Sequence, residues 1–402
     1  MNNLISLLGI FIFIGIGYGI SANRQAIRWR PVIWGITLQF IIALAVLKIP
    51  GTYLIFDVAG QVVTKFLDFT IEGAKFVFGE NYEEHFFAFK VLPTIIFFSA
   101  FVSVLYYLNI LQQIVKVVAW VMLKTTKTSG AESLSNAANV FVGMTEAPLL
   151  VKPFIQEMTK SELNTIMTGG FATVAGGVLA AYVSFGIPAR DLISASVMAA
   201  PCALGISKLL YPETEKPVTA GKLELNIEKT ATNVVDAAAG GAIEGAKLAV
   251  NIAAVIIAFL GLIAFLNTLL GWFGGLLGYP QLSLDLILGW LLYPIALLTG
   301  VSWGDGSQVA ALIGKKIILN EFIAYLDLAE LVKNNLLSER SARIATFALC
   351  SFANVGSIGI QIGSLSGIAP ERRSELAELG IRAMIGGVLT NLIVAATVGF
   401  LL

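Results

Sequence analysis

Long apolar runs alternate with short polar breaks along the whole chain. Runs near residues 3–20, 32–49, 86–108, 165–187, 192–210, 249–275 and 376–402 are each long enough to cross a hydrocarbon core as a helix, and an eighth, near 343–366, is rich in Gly and Ser. Shorter pieces interrupt them: a mixed segment at 52–80, NILQQIVKVVAWVMLK at 109–124 and LDLILGWLLYPIALLTG at 284–300. The first two mix polar and apolar positions like helices lying at a membrane interface. The most polar stretch, Tyr211 to Asp236, cannot span and reads as a loop followed by an interfacial helix.

Composition fixes the medium. Of 402 residues, 57% are hydrophobic and 13% charged, against about a quarter charged in a soluble domain. The expectation is an all-α polytopic membrane protein. The first run lacks a preceding basic region and a small-residue cleavage site, so it reads as a retained span. Basic and acidic residues balance at 26 each with no basic tract, which implies neither nucleic acid nor an anionic membrane surface as partner. Arg24, Arg28 and Arg30, Lys124 and Lys127, and Arg372 and Arg373 place their loops in the cytoplasm by the positive-inside rule, with both termini outward. Lys333, Arg340 and Arg343 fall on the outer side and break that rule.

Two glycine-rich spans align without a gap, GGFATVAGGVLAAYVSFGIP from Gly169 and CSFANVGSIGIQIGSLSGIA from Cys350. Phe171, Ala172, Val174, Gly186 and Ile187 match Phe352, Ala353, Val355, Gly367 and Ile368 at one constant offset, and Thr173 pairs with Asn354. The charge pattern makes the two spans run in opposite directions, an inverted-topology repeat of the kind common in secondary transporters. Each unit follows a broken apolar stretch holding a carboxylate, VFVGMTEAPLL with Glu146 and IILNEFIAY with Glu321. The adjoining Gly and Pro suggest hairpins that turn within the membrane, tolerable only where freed backbone groups face protein or a water-filled cavity. The chain thus divides into a two-helix and interfacial segment (1–84), a first repeat (85–210), a cytoplasmic loop with an interfacial helix (211–248) and a second repeat (249–402).

An intramembrane carboxylate costs several kcal/mol on insertion scales, so one that persists faces a cavity, a partner or a substrate. Glu146 reads as functional against the alternative of an ion pair with Lys152; for Glu321 the alternative is Lys315 or Lys316. Asn139, Thr173, Asn354 and Ser357 lie beside expected helix breaks, where oxygens bind a cation or a hydroxylated solute, or join helices. Gly359, Gly363 and Gly367 recur every four residues and read as a packing face. Cys202 and Cys350 read as buried thiols and His85, the single histidine, as a boundary residue. There is no P-loop, GxSxG or HExxH, so an enzyme is not indicated.

GMTEAPLLVKPF (143–154), GGFATVAG (169–176), NEFIAY (320–325) and SFANVGSIGI (351–360) together resemble the concentrative nucleoside transporter family, in order along the chain. FAFKVLPTIIFFSA (87–100) and NVVDAAAGGAIEGAKLAVNIAA (233–254) are similar too. The resemblance implies a homotrimer in a bacterial cytoplasmic membrane. Each protomer would have about eight transmembrane helices, two re-entrant hairpins and a nucleoside pathway driven by a cation gradient, with no cofactor. It places Gly143, Met144, Thr145, Glu146 and Val178 toward the nucleobase, and Glu321, Phe352, Asn354 and Ser357 toward the ribose. Asn139, Val142, Thr173 and Val174 correspond to the sodium site.

Two departures stand out, GMTE where many bacterial relatives read GQTE, and NVGS where many read NFSS. Met144 replaces an amide by a polarizable thioether that suits a larger aromatic base, so purine nucleosides are expected over pyrimidine ones. A proton-coupled or broad-specificity symporter and a cation channel remain open as alternatives.

Overall fold

A computed structural model of the protein describes residues 2–83, 85–222 and 231–402. An N-terminal group comprises α1 (Asn2–Gly19), α2 (Trp29–Lys48), α3 (Pro50–Asp68) and α4 (Thr70–Phe78). Two sets of elements follow in the same order. The first is α5 (Leu92–Tyr107), α6 (Ile110–Thr126), a hairpin of α7 (Gly130–Ala138) and the short α8 (Lys152–Ile155), a broken helix α9 (Lys160–Ala172) and α10 (Gly176–Ser184), and α11 (Ala189–Leu210). The second is α12 (Val234–Leu276), α13 (Leu284–Leu291) with α14 (Tyr293–Leu298), a hairpin of α15 (Gly306–Ile318) and α16 (Glu321–Lys333), a broken helix α17 (Glu339–Leu349) and α18 (Val355–Ile368), and α19 (Arg373–Leu401).

Local chemistry sets the starts of these helices. Ser129 with Glu132 and Thr159 with Glu162 form capping boxes on α7 and α9, satisfying N–H groups that would otherwise be buried without partners. Asn320 and Asn354 cap α16 and α18 with their side-chain oxygens. Among the described residues, seven stretches are long and apolar enough to cross a membrane, the α9–α10 pair counting as one, and α18 is a shorter apolar helix. Burial sorts them: α9–α10, α11 and α19 are enclosed along most of their length, whereas α5 is half-buried and α12 exposes most of its apolar side chains. The enclosed helices carry the site.

The two ends of α11 fix the orientation of everything packed on it. Near its C-terminal end, Lys208 Nζ lies 2.6 Å from Glu132 Oε2 of α7 and donates to Ser161 Oγ of α9 at 2.9 Å. Near its N-terminal end, Asp191 accepts two hydrogen bonds from Arg343 of α17, at 3.1 and 2.9 Å. So α9 starts at one face and α17 at the other, and the repeats are inverted. The first hairpin has its base on the Lys208 side, where Gly130 N donates to Thr219 O at 3.0 Å. The second has its base on the Asp191 side, where Ser302 N donates to Ser341 Oγ at 3.0 Å. The segment after α1 joins the Lys208 face through Ala22 N to Leu210 O at 2.9 Å. Asn3 and Phe400 meet on the opposite face.

These contacts explain two of the three outer charges that broke the positive-inside rule; Lys333, exposed at the end of α16, still breaks it. Arg343 is committed to Asp191, and Arg340 donates to Gly300 O at 3.0 Å and to Gly399 O, so both act inside the fold rather than as loop charges.

Two expectations are corrected. The helix expected to lie along the interface before residue 249 is continuous with the following span: α12 runs 43 residues, about 64 Å at 1.5 Å per residue, because Ala-rich sequence without proline continues from the Asn233 cap. Residues 223–230 of the preceding loop lie outside the described residues. The packing face expected at Gly359, Gly363 and Gly367 has nothing within 4 Å of where a Cβ would stand. A glycine stripe packs only when a helix is placed on that side, and α18 meets α19 on its other faces.

Inverted entry predicts opposite labelling. An impermeant maleimide applied to sealed, right-side-out membranes should modify Leu336→Cys directly and Lys216→Cys only after permeabilisation. Both positions are exposed, and native Cys202 and Cys350 are buried and silent.

Candidate functional site

The two broken helices cross where each is unwound. Phe352 N donates to Thr173 O at 3.1 Å, one break bonding directly to the other. Asn391 of α19 donates to Ala172 O at 3.0 Å and to Cys350 O at 3.2 Å, covering a freed carbonyl from each helix end. Glycine makes this approach possible: a Cβ on Gly387 would stand 2.6 Å from Phe171 Cβ and 3.2 Å from Ala353 Cβ.

Against this crossing lie the hairpin tips, and between them a cavity of about 1410 Å³. It is lined by Gly143, Met144, Thr145, Glu146 and Val178 from the first repeat and by Glu321, Phe352, Asn354 and Ser357 from the second. Every residue expected to face a substrate thus meets in one place. The wall continues along α12 from Asp236 to Phe259 and includes Tyr106 and Gln112.

Glu321 is the first residue of α16 and is 5% exposed. Its carboxylate accepts from Tyr182 Oη at 3.2 Å and from Asn354 Nδ2 at 3.0 Å. Asn354 in turn uses Oδ1 to accept from Ser357 N at 2.8 Å, so one side chain caps α18 and orients Glu321. Such charge-assisted bonds, with the positive end of the α16 dipole, offset the desolvation of a buried carboxylate. Neither neighbouring lysine pairs with it. Lys315 binds Asp285 and Asp327, and Lys316 donates to Ala348 O.

Glu146 occupies the corresponding place in the first repeat but a different environment. Its hairpin turns through an irregular tip into a short 3-10 turn, Ala147–Val151, which Pro148 favours. Glu146 Oε2 accepts from Gly143 N at 3.0 Å, and the side chain is exposed toward the cavity. Met144 sits beside it, 6% exposed, wedged where a Cβ on Gly170 would lie 2.7 Å from its own Cβ.

The four residues expected to hold a cation lie deeper. Val142 reaches the cavity wall, whereas Asn139, Thr173 and Val174 are at most 1% exposed behind it. Asn139 Nδ2 donates to Ser135 O at 3.0 Å, but its Oδ1 has no partner. The Thr173 hydroxyl donates to Gly169 O at 3.0 Å and keeps lone pairs free.

Sequence reasoning missed Tyr182, which belongs to an ordinary apolar run with nothing local to mark it, and Asn391, a polar residue inside the last span. An amide at the centre of an apolar stretch was the available signal for Asn391.

Inverted repeats, two broken helices and two hairpin tips around one polar cavity define the class of membrane protein described for secondary transporters. Three family models match in succession: the N-terminus of the Na+ dependent nucleoside transporter over residues 8–81, nucleoside recognition over 88–189, and the C-terminus of the Na+ dependent nucleoside transporter over 191–399. The chain belongs to the Na+ dependent nucleoside transporter family.

Among its relatives, solute carrier family 28 member 3 of Mus musculus is 45% identical over all of this chain and 59% of that protein. Sodium/nucleoside cotransporter 1 of Mus musculus is 44% identical over all of this chain and 64% of that one. The chain therefore spans about three-fifths of the length of these curated relatives. Among solved structures, CNTnw in an inward-facing substrate-bound state is 42% identical with a TM-score of 0.94, covering all of this chain and 98% of that one. A substituted CNTnw in an outward-facing state gives 0.96 at the same identity and coverage.

The Glu321 arrangement predicts a graded loss of stability. Tyr182→Phe removes one donor from a buried carboxylate, a cost of about 1.5–3 kcal/mol. Asn354→Ala removes a donor and the α18 cap together and should lower the unfolding midpoint in detergent further.

Proposed function

We propose that this protein is a sodium-coupled nucleoside symporter that works as a homotrimer in a cytoplasmic membrane and imports nucleosides, purine nucleosides by preference. The observation that carries the reading is the cavity in which Glu146 and Glu321, from opposite hairpins, face the same space. An ionised carboxylate is acceptor-only, so Glu321, oriented by Tyr182 and Asn354, suits the hydroxyls of a ribose. Glu146, open to the cavity, suits the donor edge of a base. The names of the relatives, a sodium/nucleoside cotransporter among them, agree.

The residues present fit a sodium ion. Unpartnered Asn139 Oδ1, the Thr173 hydroxyl and the carbonyls freed beyond the end of α9 are neutral, hard oxygen donors at the negative end of a half-helix. Asn139, Val142, Thr173 and Val174 would hold it. Because Thr173 O also accepts from Phe352 N, an ion beside Thr173 would stiffen the break that positions Asn354 and Glu321. That link is the physical basis we assign to coupling. For purine preference the support is Met144 on the cavity wall, where a thioether offers polarizable surface in place of an amide's edge-specific bonds.

Uptake into proteoliposomes at fixed pH should rise with an inward sodium gradient, and Asn139→Ala should weaken that dependence. A proton gradient that alone drives full accumulation would overturn the sodium assignment. Glu321→Gln should weaken nucleoside binding by about tenfold or more, and unchanged affinity in a folded variant would remove Glu321 from the ribose site. Inosine should compete with labelled adenosine better than uridine does, and Met144→Gln should narrow the gap. Equal competition in the unsubstituted protein would sink the purine preference.

A further inference from the structure

Lys316 lies on α15, five residues before Glu321, and is 1% exposed. Among the described residues no carboxylate stands within ion-pair distance of it. Its ammonium donates to Ala348 O at 3.1 Å and lies 3.5 Å from Asn391 Oδ1. Ala348 is the penultimate residue of α17, and the Asn391 amide donates to Cys350 O, just beyond that helix, and to Ala172 O, the last residue of α9. One buried cation and one amide thus cover the carbonyl ends of both broken helices.

A helix C-terminus carries roughly half a negative charge, and in a transporter core such half-helix ends are where alkali cations bind. The two ends here are treated differently. In the first repeat, Asn139 Oδ1 at the end of α7 has no partner, and the Thr173 hydroxyl just beyond α9 donates to Gly169 O but keeps its lone pairs. Beyond α17 the buried Ser351 Oγ is likewise without a partner, but there a side-chain ammonium, Lys316 Nζ, takes the Ala348 carbonyl. We propose that Lys316 is a tethered cation, the second repeat's substitute for the coupling ion that the first repeat binds and releases. It neutralises the end of α17 and so positions the run from Cys350 to Asn354 that orients Glu321. The inference rests on the sodium-coupled reading above and adds to it that only one repeat exchanges its cation.

Shortening the side chain should vacate a space that still holds Ala348 O and Asn391 Oδ1, donors to which a sodium ion can bind. In proteoliposomes, Lys316→Ala should bind nucleoside about tenfold more weakly at low sodium and recover at high sodium. Its sodium dependence should turn from hyperbolic to sigmoidal, and the charge moved per nucleoside should rise from about one to about two. Lys316→Met fills the same space without charge and should stay weak at every sodium concentration. Unchanged affinity with hyperbolic dependence in Lys316→Ala, or equal impairment of both variants at all sodium concentrations, would overturn the proposal. Should Lys316→Ala not fold, Lys316→Ser, heated in detergent, should gain stability over a sodium range that leaves the parent protein unchanged; equal responses would also overturn it. Parent protein measured alongside separates the two claims. A parent whose uptake ignores sodium defeats the coupling reading, whereas a sodium-driven parent with an unaltered variant defeats only the role of Lys316.

Discussion

A helix that breaks inside a membrane frees backbone carbonyls where no water waits to meet them, and each unmet group costs several kcal/mol. This protein breaks two helices at one depth and meets that cost by crossing them. Phe352 N answers Thr173 O across the crossing, while Asn391 answers Ala172 O and Cys350 O from the helix behind. The rest of the structure serves this arrangement. Gly387 clears the space, the inverted repeat brings two breaks to one depth, and the hairpin tips close over the polar backbone that results.

Inversion also explains how two similar repeats come to hold dissimilar chemistry. Glu321 begins a regular helix and is enclosed by Tyr182 and Asn354, whereas Glu146 follows an irregular tip and stands open to the cavity. Under the proposed function, a substrate with a polyhydroxyl end and a flat heterocyclic end would meet a preorganised acceptor on one side and an adaptable one on the other. The charges at the two ends of α11 hold the frame in which that difference operates. Lys208 ties the base of the first hairpin to one face and Asp191 ties α17 to the other, and breaking a fully buried pair such as Lys208 with Glu132 costs about 3–5 kcal/mol.

Much of the site was legible in the sequence because a charge in an apolar run needs a reason. Glu146 and Glu321 marked the hairpin tips, and the constant offset between the glycine-rich spans marked both breaks, so all nine residues expected at the substrate line one cavity. What was not legible depends on long-range geometry. Tyr182 reads as one more aromatic in a span until the fold carries it to Glu321, and Lys316 reads as the twin of Lys315 although one is enclosed and the other pairs with Asp285 and Asp327. The glycine stripe of α18 misled for the same reason, since spacing shows that a helix could approach but not that one does. Arg343 broke the loop-charge rule because its partner, Asp191, is distant in sequence.

Coupling between ion and solute, as proposed, links two binding equilibria. Its most direct measurement is the affinity of the purified protein for a nucleoside across a sodium series at constant ionic strength, together with the affinity for sodium across a nucleoside series. With Thr173 joined to Phe352 and Glu321 oriented through Asn354, each ligand should tighten the other by the same factor, and Asn139→Ala should reduce both factors together. Nucleoside affinity that stays constant from sodium-free to saturating sodium would contradict the account.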